Sequence, residues 1–327
     1  MRRFVAAVVA FAGAALADAP ANAQQYPDRP IRLIVSIAPG SVTDVIMRAV
    51  GAELQTRMGQ PFVIENRGGA SGILAAQSCA SAAPDGYTLC VIYHNTLSFN
   101  PLLFNKLPYD PDRDFTLIAR LFFLIEALAV TPSLGVNSVA ELKSLAQSRR
   151  KELNFGTIGP GSAPELFVKW INNQWETNVV PIPYRGGGPI AQALAAGELQ
   201  VGSMGLSNFL GLAEGGKLKL LAVSAEKRSP LAPSIPTFSE AGIGGYPFRG
   251  WWGLVAPKGT PKPIIDKVNA EFVKLFEDPK FVAYLDKQAV ISAPTSPAGF
   301  EAFVKEDRKL AEQLIKIANT QRKDYKQ

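Results

Sequence analysis

Four times in this chain a short apolar, β-branched run ends on a glycine-rich turn and continues as a helix-like pattern. The first is Leu33-Ile34-Val35-Ser36-Ile37, followed by the turn Ala38-Pro39-Gly40-Ser41-Val42-Thr43-Asp44, with a helix predicted from about Val42 to Met58. The other turns are Gly68-Gly69-Ala70-Ser71-Gly72, Thr157-Ile158-Gly159-Pro160-Gly161-Ser162 and Tyr184-Arg185-Gly186-Gly187-Gly188. Strand, turn and helix in alternation constrain the chain to an α/β architecture with a parallel sheet and right-handed crossovers. Each turn also gathers unpaired backbone N–H groups and a partial positive charge of about half a unit at a helix start. Glycine there lets a ligand approach the backbone closely. A single loop of this kind is an ordinary βα turn; four of them, two in each half of the chain, point to an anion-binding cleft.

Between these units "PFVIENR" and "DGYTLCVIY" read as strands. A long apolar run, "TLIARLFFLIEALAVTP", leads into the helix "SVAELKSLAQS", where Ser138 and Glu141 form a capping-box pattern. "KLKLLAVSAEKR" is a further strand, and "GWWGLVAPKGTPKPIIDKVNAEFVKLF" reads as strand, loop and helix. The segments "EALAVTPSLGVNSVAEL" and "WWGLVAPKGTPKPIIDK" share a strand–Pro–loop–helix pattern, marking two places where the chain enters a sheet at comparable points. Two lobes joined by two crossings follow, the first from residues 24–125 with 250–327 and the second from 126–249. The ligand is then expected outside the carboxyl ends of the strands.

Arg2 and Arg3 precede an apolar run from Phe4 to Leu16, and Ala21-Asn22-Ala23 supplies small residues behind it. This reads as a cleavable secretory signal peptide over residues 1–23. The run is shorter than the ~20 residues that a membrane span requires. The whole chain, with 47% hydrophobic and 19% charged residues, is that of a well-cored globular protein. Its net charge of +6 is not gathered into a long basic run, so nucleic acid is not an expected partner. Cys79 and Cys90 are the two cysteines. An exported protein permits a disulfide between them, and two buried free thiols stand as the alternative.

The chemistry that can be excluded is broad. There is no Gly-x-x-x-x-Gly-Lys-Ser/Thr loop, no Gly-x-Gly-x-x-Gly opening a helix, and no Gly-x-Ser-x-Gly elbow. One histidine and no Cys-x-x-Cys pair argue against zinc. A catalytic triad would have to use His94, which near a strand end reads as a local hydrogen-bonding residue. Asp110, Asp112 and Asp114 read as turn formers in a proline-rich loop. Phe248, Arg249, Trp251 and Trp252 either line a cleft or pack the second crossing, with at least one tryptophan in the core. No cofactor, no metal and no catalysis are expected.

The segments "YPDRPIRLIVSIAPGSVTDVIMR", "GQPFVIENRGGASG", "APDGYTL", "PYRGGGP", "LAVSAEKRSPLAPSIPTFSEAG" and "WWGLVAPKGTPKPI" together resemble the Bug-type receptors of tripartite tricarboxylate transporters. The resemblance runs in order over almost all of the chain beyond residue 23. It implies a two-lobed periplasmic solute-binding protein of type II, with two crossover segments, a small organic carboxylate as ligand and no catalysis. The implied partners are one small and one large integral membrane subunit, with the receptor itself a monomer. Carried over by motif, the ligand cradle falls on Gly40, Ser41, Thr43 and Asp44, and on Ala70, Ser71 and Gly72. In the second lobe it falls on Thr157, Gly161 and Ser162, and on Arg185, Gly186 and Gly187.

Three departures bear on the ligand. Ser41 stands where the family usually has a second glycine, Val42 follows it, and Pro164 replaces the usual histidine. The carboxylate is expected to be held by backbone N–H groups and the hydroxyls of Ser41, Thr43, Thr157 and Ser162, with Arg185 the one candidate for a salt bridge. A sensor feeding a two-component system would use the same cradle. A hydrolase or lyase acting on an organic acid would need a base beside it.

Overall fold

The computed structural model describes residues 26–148, 153–159, 161–246 and 249–325. The expected signal peptide, residues 1–23, and Phe248 lie outside the described residues. The first strand, β1 (Ile31–Val35), is apolar apart from Arg32 near its start and fully buried from Leu33 on, as a strand covered on both faces requires. After it come α1 (Val42–Met58), β2 (Phe62–Asn66), α2 (Ile73–Ala80) and β3 (Thr88–Tyr93), the predicted alternation. A short helix α3 (Asn100–Leu103) leads to the long strand β4 (Phe115–Leu124). After Ile125 alone the chain resumes as β5 (Glu126–Val130). Then follow α4 (Val139–Ser148), β6 (Asn154–Thr157), α5 (Ala163–Trp175), β7 (Val180–Pro183), α6 (Gly187–Ala196), β8 (Val201–Gly205), α7 (Leu210–Glu214) and β9 (Lys219–Val223). The chain returns with β10 (Trp251–Pro257), α8 (Lys262–Phe276), α9 (Pro279–Lys287), β11 (Val290–Ser292) and α10 (Pro297–Ile317).

These strands form two sheets, ordered β11-β4-β10-β3-β1-β2 and β7-β6-β8-β5-β9, and each with its helices makes one α/β lobe. The parallel pairing expected from the alternation is present, within sheets that are mixed. β1 pairs in parallel with β2 and β3, but β10 runs antiparallel to β3 and β4, and β5 antiparallel to β8 and β9. The cause lies in the two crossings. Glu126, which opens β5, pairs with Gly205 at the end of β8; Trp252, near the start of β10, pairs with Tyr93 at the end of β3. Both crossings therefore enter their new sheet at the carboxyl ends of its parallel strands, and from there a strand can only run backwards against them.

Packing falls into three apolar groups. One covers the first sheet under α1 and α8, one covers the second sheet under α6, and one runs from the α2 side of the first sheet into the second lobe under α5. Trp251 and Trp252 are both core residues. Burying a large apolar side chain contributes about 1.5–3 kcal/mol, so the pair outweighs any surface ion pair nearby. Cys79 and Cys90 form a disulfide that ties α2 to β3. Ser138 Oγ accepts the Glu141 N–H at 3.1 Å, but the Glu141 carboxylate turns to the N–H of Asn137 at 2.8 Å instead of closing the reciprocal half of the box. Asp110 and Asp114 do form the turn expected of them, Asp114 accepting the Asp110 N–H at 2.6 Å.

Candidate functional site

The loops after β1 and β6 are built alike. Gly40 and Gly161 are left-handed, with φ of 76° and 75°. Ser41 and Ser162 follow in extended conformation at the start of α1 and α5. Ser41 N–H donates to Ala38 C=O at 3.4 Å, and Ser162 N–H to Gly159 C=O at 3.1 Å. The Gly40 N–H donates to Asp44 Oδ2 at 2.9 Å, and the Gly161 N–H to the Glu165 carboxylate, also four residues on. Both lobes thus carry Gly-Ser-x-x-acid, with the acid closing the turn. Neither serine caps its own helix. Their hydroxyls are buried and have no hydrogen-bond partner among the described residues. A buried hydroxyl without a partner costs about 1–3 kcal/mol, and here two stand at matching positions of the two loops.

Three of the predicted residues have partners within their own loops. The N–H groups of Gly40 and Gly161 are turned onto carboxylates of their own loops, and Asp44 organises its loop. Asp44 also receives Asn66 Nδ2 at 2.9 Å and Arg48 at 3.0 Å. Burial alone would raise the Asp44 carboxyl, but the hydrogen bonds from Gly40, Arg48 and Asn66 outweigh it and hold the group below the usual range. The donors left for a ligand are the first-turn N–H groups of α1 and α5, which have no partner within their helices. Pro164 removes one of these in α5.

The turn after β2 is the most strained part of the site. Gly69, Ala70, Ser71 and Gly72 are all at positive φ (108°, 47°, 54° and 80°). For Ala70 and Ser71 that costs roughly 1–2 kcal/mol each. Packing and hydrogen bonds offset it. The buried Asn100 donates through Nδ2 to Ser71 C=O and to Tyr109 Oη, each at 3.0 Å, and Tyr109 Oη donates to Thr96 C=O at 3.0 Å. Strain retained in this way is characteristic of ligand clamps, and left-handed turns of this kind present successive N–H groups together.

All four loops meet between the lobes. A Cβ on Gly186 would stand 3.0 Å from Ser41 Oγ, and one on Gly159 3.5 Å from Ser71 Oγ. Gly187 lies against the side chain of Asn208. Thr43 and Thr157 are buried, and Thr157 Oγ1 donates to Ile182 C=O at 3.4 Å. Arg185 is exposed and makes no ion pair among the described residues.

Sequence reasoning passed over Asn95, Thr96, Asn100 and Asn208. The signal for the first three was present: the string "HNTLSFN", rich in polar residues, directly follows the carboxyl end of a buried strand. It winds as a π-helical turn over Asn95–Phe99, a conformation concentrated at functional sites. Asn95 Nδ2 reaches across the cleft to Gly161 C=O at 2.7 Å. His94 itself is buried against the Trp251 backbone and the Asn95 side chain; burial pushes its imidazole down to about 3, so the ring is neutral.

Known proteins resemble this chain in sequence and in fold. The model of the tripartite tricarboxylate transporter family receptor matches residues 46–320. The chain is 30% identical over 306 residues to Protein BugT of Bordetella pertussis, covering 92% of this chain and 94% of that one. Among solved structures, R. palustris Rpa4515 with adipate superposes with a TM-score of 0.86 at 32% identity, covering 90% of this chain and 98% of the other. The periplasmic binding protein BugD gives a TM-score of 0.86 at 28% identity, covering 91% and 100%.

Proposed function

The chain belongs to the tripartite tricarboxylate transporter receptor family, Bug type, and from that premise we propose that it captures a small organic carboxylate between its lobes and delivers it to the small and large membrane subunits of such a transporter. The observation that carries this is the pair of partnerless, buried hydroxyls of Ser41 and Ser162, each at the start of a helix and each on its own lobe. A carboxylate between them gains two charge-assisted bonds and lies on the positive ends of two helices. Thr43, Thr157, the Ala70–Gly72 turn, and Gly186 with Gly187 complete the wall. Gly40, Gly161 and Asp44 act one step back, by shaping the loops. Arg185 lies outside this wall.

The lobes divide at residues 125/126 and 249/250, where the two sheets exchange chain. The receptor works as a periplasmic monomer after removal of residues 1–23, and without catalysis. A neutral, buried His94 with its ring held by its neighbours supports that last point. Thermal melting of purified protein over a panel of organic acids tests the reading. Carboxylates should raise the melting temperature while their amides do not; stabilisation by amides and acids alike removes the case for an anion site.

A further inference from the structure

Glu126 stands where the chain first crosses between lobes. Its N–H donates to Ser224 Oγ and its C=O accepts the Ser224 N–H, both at 2.8 Å, which fixes its backbone from the second-lobe side. The side chain turns onto the hinge wall where the second crossing returns. Glu126 Oε1 lies 3.0 Å from the point that a Cβ on Gly250 would occupy, and His94 Cε1 lies 4.0 Å from that same point. The glycine leaves the space the carboxylate uses. On the other side Glu126 is within electrostatic reach of Tyr246, whose hydroxyl is 3.4 Å from Ala163 C=O. Asn95 follows His94 and Ser162 precedes Ala163, so the surroundings of Glu126 adjoin the loops that converge between the lobes.

No cation among the described residues pairs with it. Arg249 is bonded to Glu226 at 3.5 Å and lies over the Phe123 ring at 4.5 Å; Arg120 lies over the same ring at 4.6 Å and donates to Ala293 C=O at 3.0 Å. An isolated interior carboxylate is costly, and burial pushes this one up to about 7. Yet Glu126 is only half-buried, so it borders open space and is not sealed into the core.

We propose that Glu126 receives the far end of the ligand, and that the ligand this chain prefers carries an ammonium group there: an amino acid, not a dicarboxylate. The inference rests on the carboxylate reading given above and adds the opposite end. A second carboxylate facing Glu126 would force one of the two acids to take up a proton, whereas an ammonium group keeps Glu126 ionised and supplies charge-assisted donors.

Calorimetry on the purified protein decides it, with short straight-chain monocarboxylates, their α- and ω-amino counterparts and their dicarboxylates, on wild type and on Glu126→Gln. In the wild type the best amino acid should bind about tenfold or more tighter than both the monocarboxylate and the dicarboxylate of its length. Glu126→Gln should weaken that ligand about tenfold and leave the dicarboxylate unchanged or improved, with a melting curve showing that the variant is folded. A dicarboxylate ranking first in the wild type, or a ranking untouched by Glu126→Gln, overturns the proposal while leaving carboxylate capture intact. Failure of every acid in the panel to bind overturns both.

Discussion

The side-chain amide of Asn95 donates to the backbone carbonyl of Gly161 at 2.7 Å, so a first-lobe residue grips the second-lobe loop that carries Ser162. The bond exists only while the lobes are together. When they part, water can satisfy the Gly161 carbonyl, so loss of the bond falls on the closing equilibrium and not on the folding of either lobe. Asn95→Ala should therefore weaken ligand binding by about 1–3 kcal/mol. Calorimetry gives the affinity. The ligand-free melting temperature should move little, and a large drop in it would show that Asn95 serves folding instead.

Gly161 meets the first lobe a second time. A Cβ there would lie 2.5 Å from Leu103 Cδ1, and its φ of 75° already disfavours any side chain. Gly161→Ala should hold the lobes apart. Solution scattering at saturating ligand should show a larger radius of gyration than wild type, together with weaker binding.

Side-chain hydroxyls and the guanidinium make opposite predictions. Ser41→Ala, Ser162→Ala and Thr43→Val should each weaken carboxylate binding by about 1–3 kcal/mol, the loss of a charge-assisted bond. Arg185→Gln, at an exposed position, should cost less than any of them. Calorimetry on the four variants checks the order, and a loss confined to Arg185→Gln would mean that a salt bridge holds the ligand.

Stability should respond to pH through Asp307, a buried carboxyl on α10. Burial pushes it up to about 6, against the opposing pull of the Ser98 hydroxyl, the Trp251 indole N–H and Arg308. Between its ordinary value and about 6 the folded protein holds a proton that the unfolded chain has lost. Its contribution is therefore fully present below the unfolded value and falls as pH rises through that window, by up to about 3 kcal/mol. Asp307→Asn should flatten that part of the stability curve, as read by denaturant melts from pH ~4 to ~7. An unchanged slope would place the titration elsewhere.

Much of the fold was legible because β1, β3 and the first turns of α1 and α5 obey local rules: apolar runs, then Pro-Gly, then a helical period. β8 was not legible. Its sequence Val-Gly-Ser-Met-Gly has weak strand preference, yet it lies between β6 and β5 in its sheet. Gly202 is there because α6 packs so close that a Cβ would come within 2.9 Å of Ile190 Cγ2. The antiparallel strands were also hidden, since direction is set by where a crossing enters a sheet and not by side-chain pattern. In the site, the glycine loops announced themselves, but not that Gly40 and Gly161 spend their N–H groups on Asp44 and Glu165. That needs the loop closed in space, although the repeated Pro-Gly-Ser-x-x-acid in Pro39–Asp44 and Pro160–Glu165 was open to view.

The placing of β10 between β3 and β4 sets an order of assembly. A chain emerging from its amino end delivers every strand of the second sheet, β5 to β9, before residue 251 appears. That lobe can close early. The first sheet meanwhile waits as two fragments, with the facing edges of β3 and β4 unpaired and apolar residues such as Val91 and Ile118 uncovered. Such edges invite pairing with the wrong chain. The part of the molecule made first is thus the last to be finished, and it is vulnerable to aggregation until the final quarter of the sequence arrives to fill the gap.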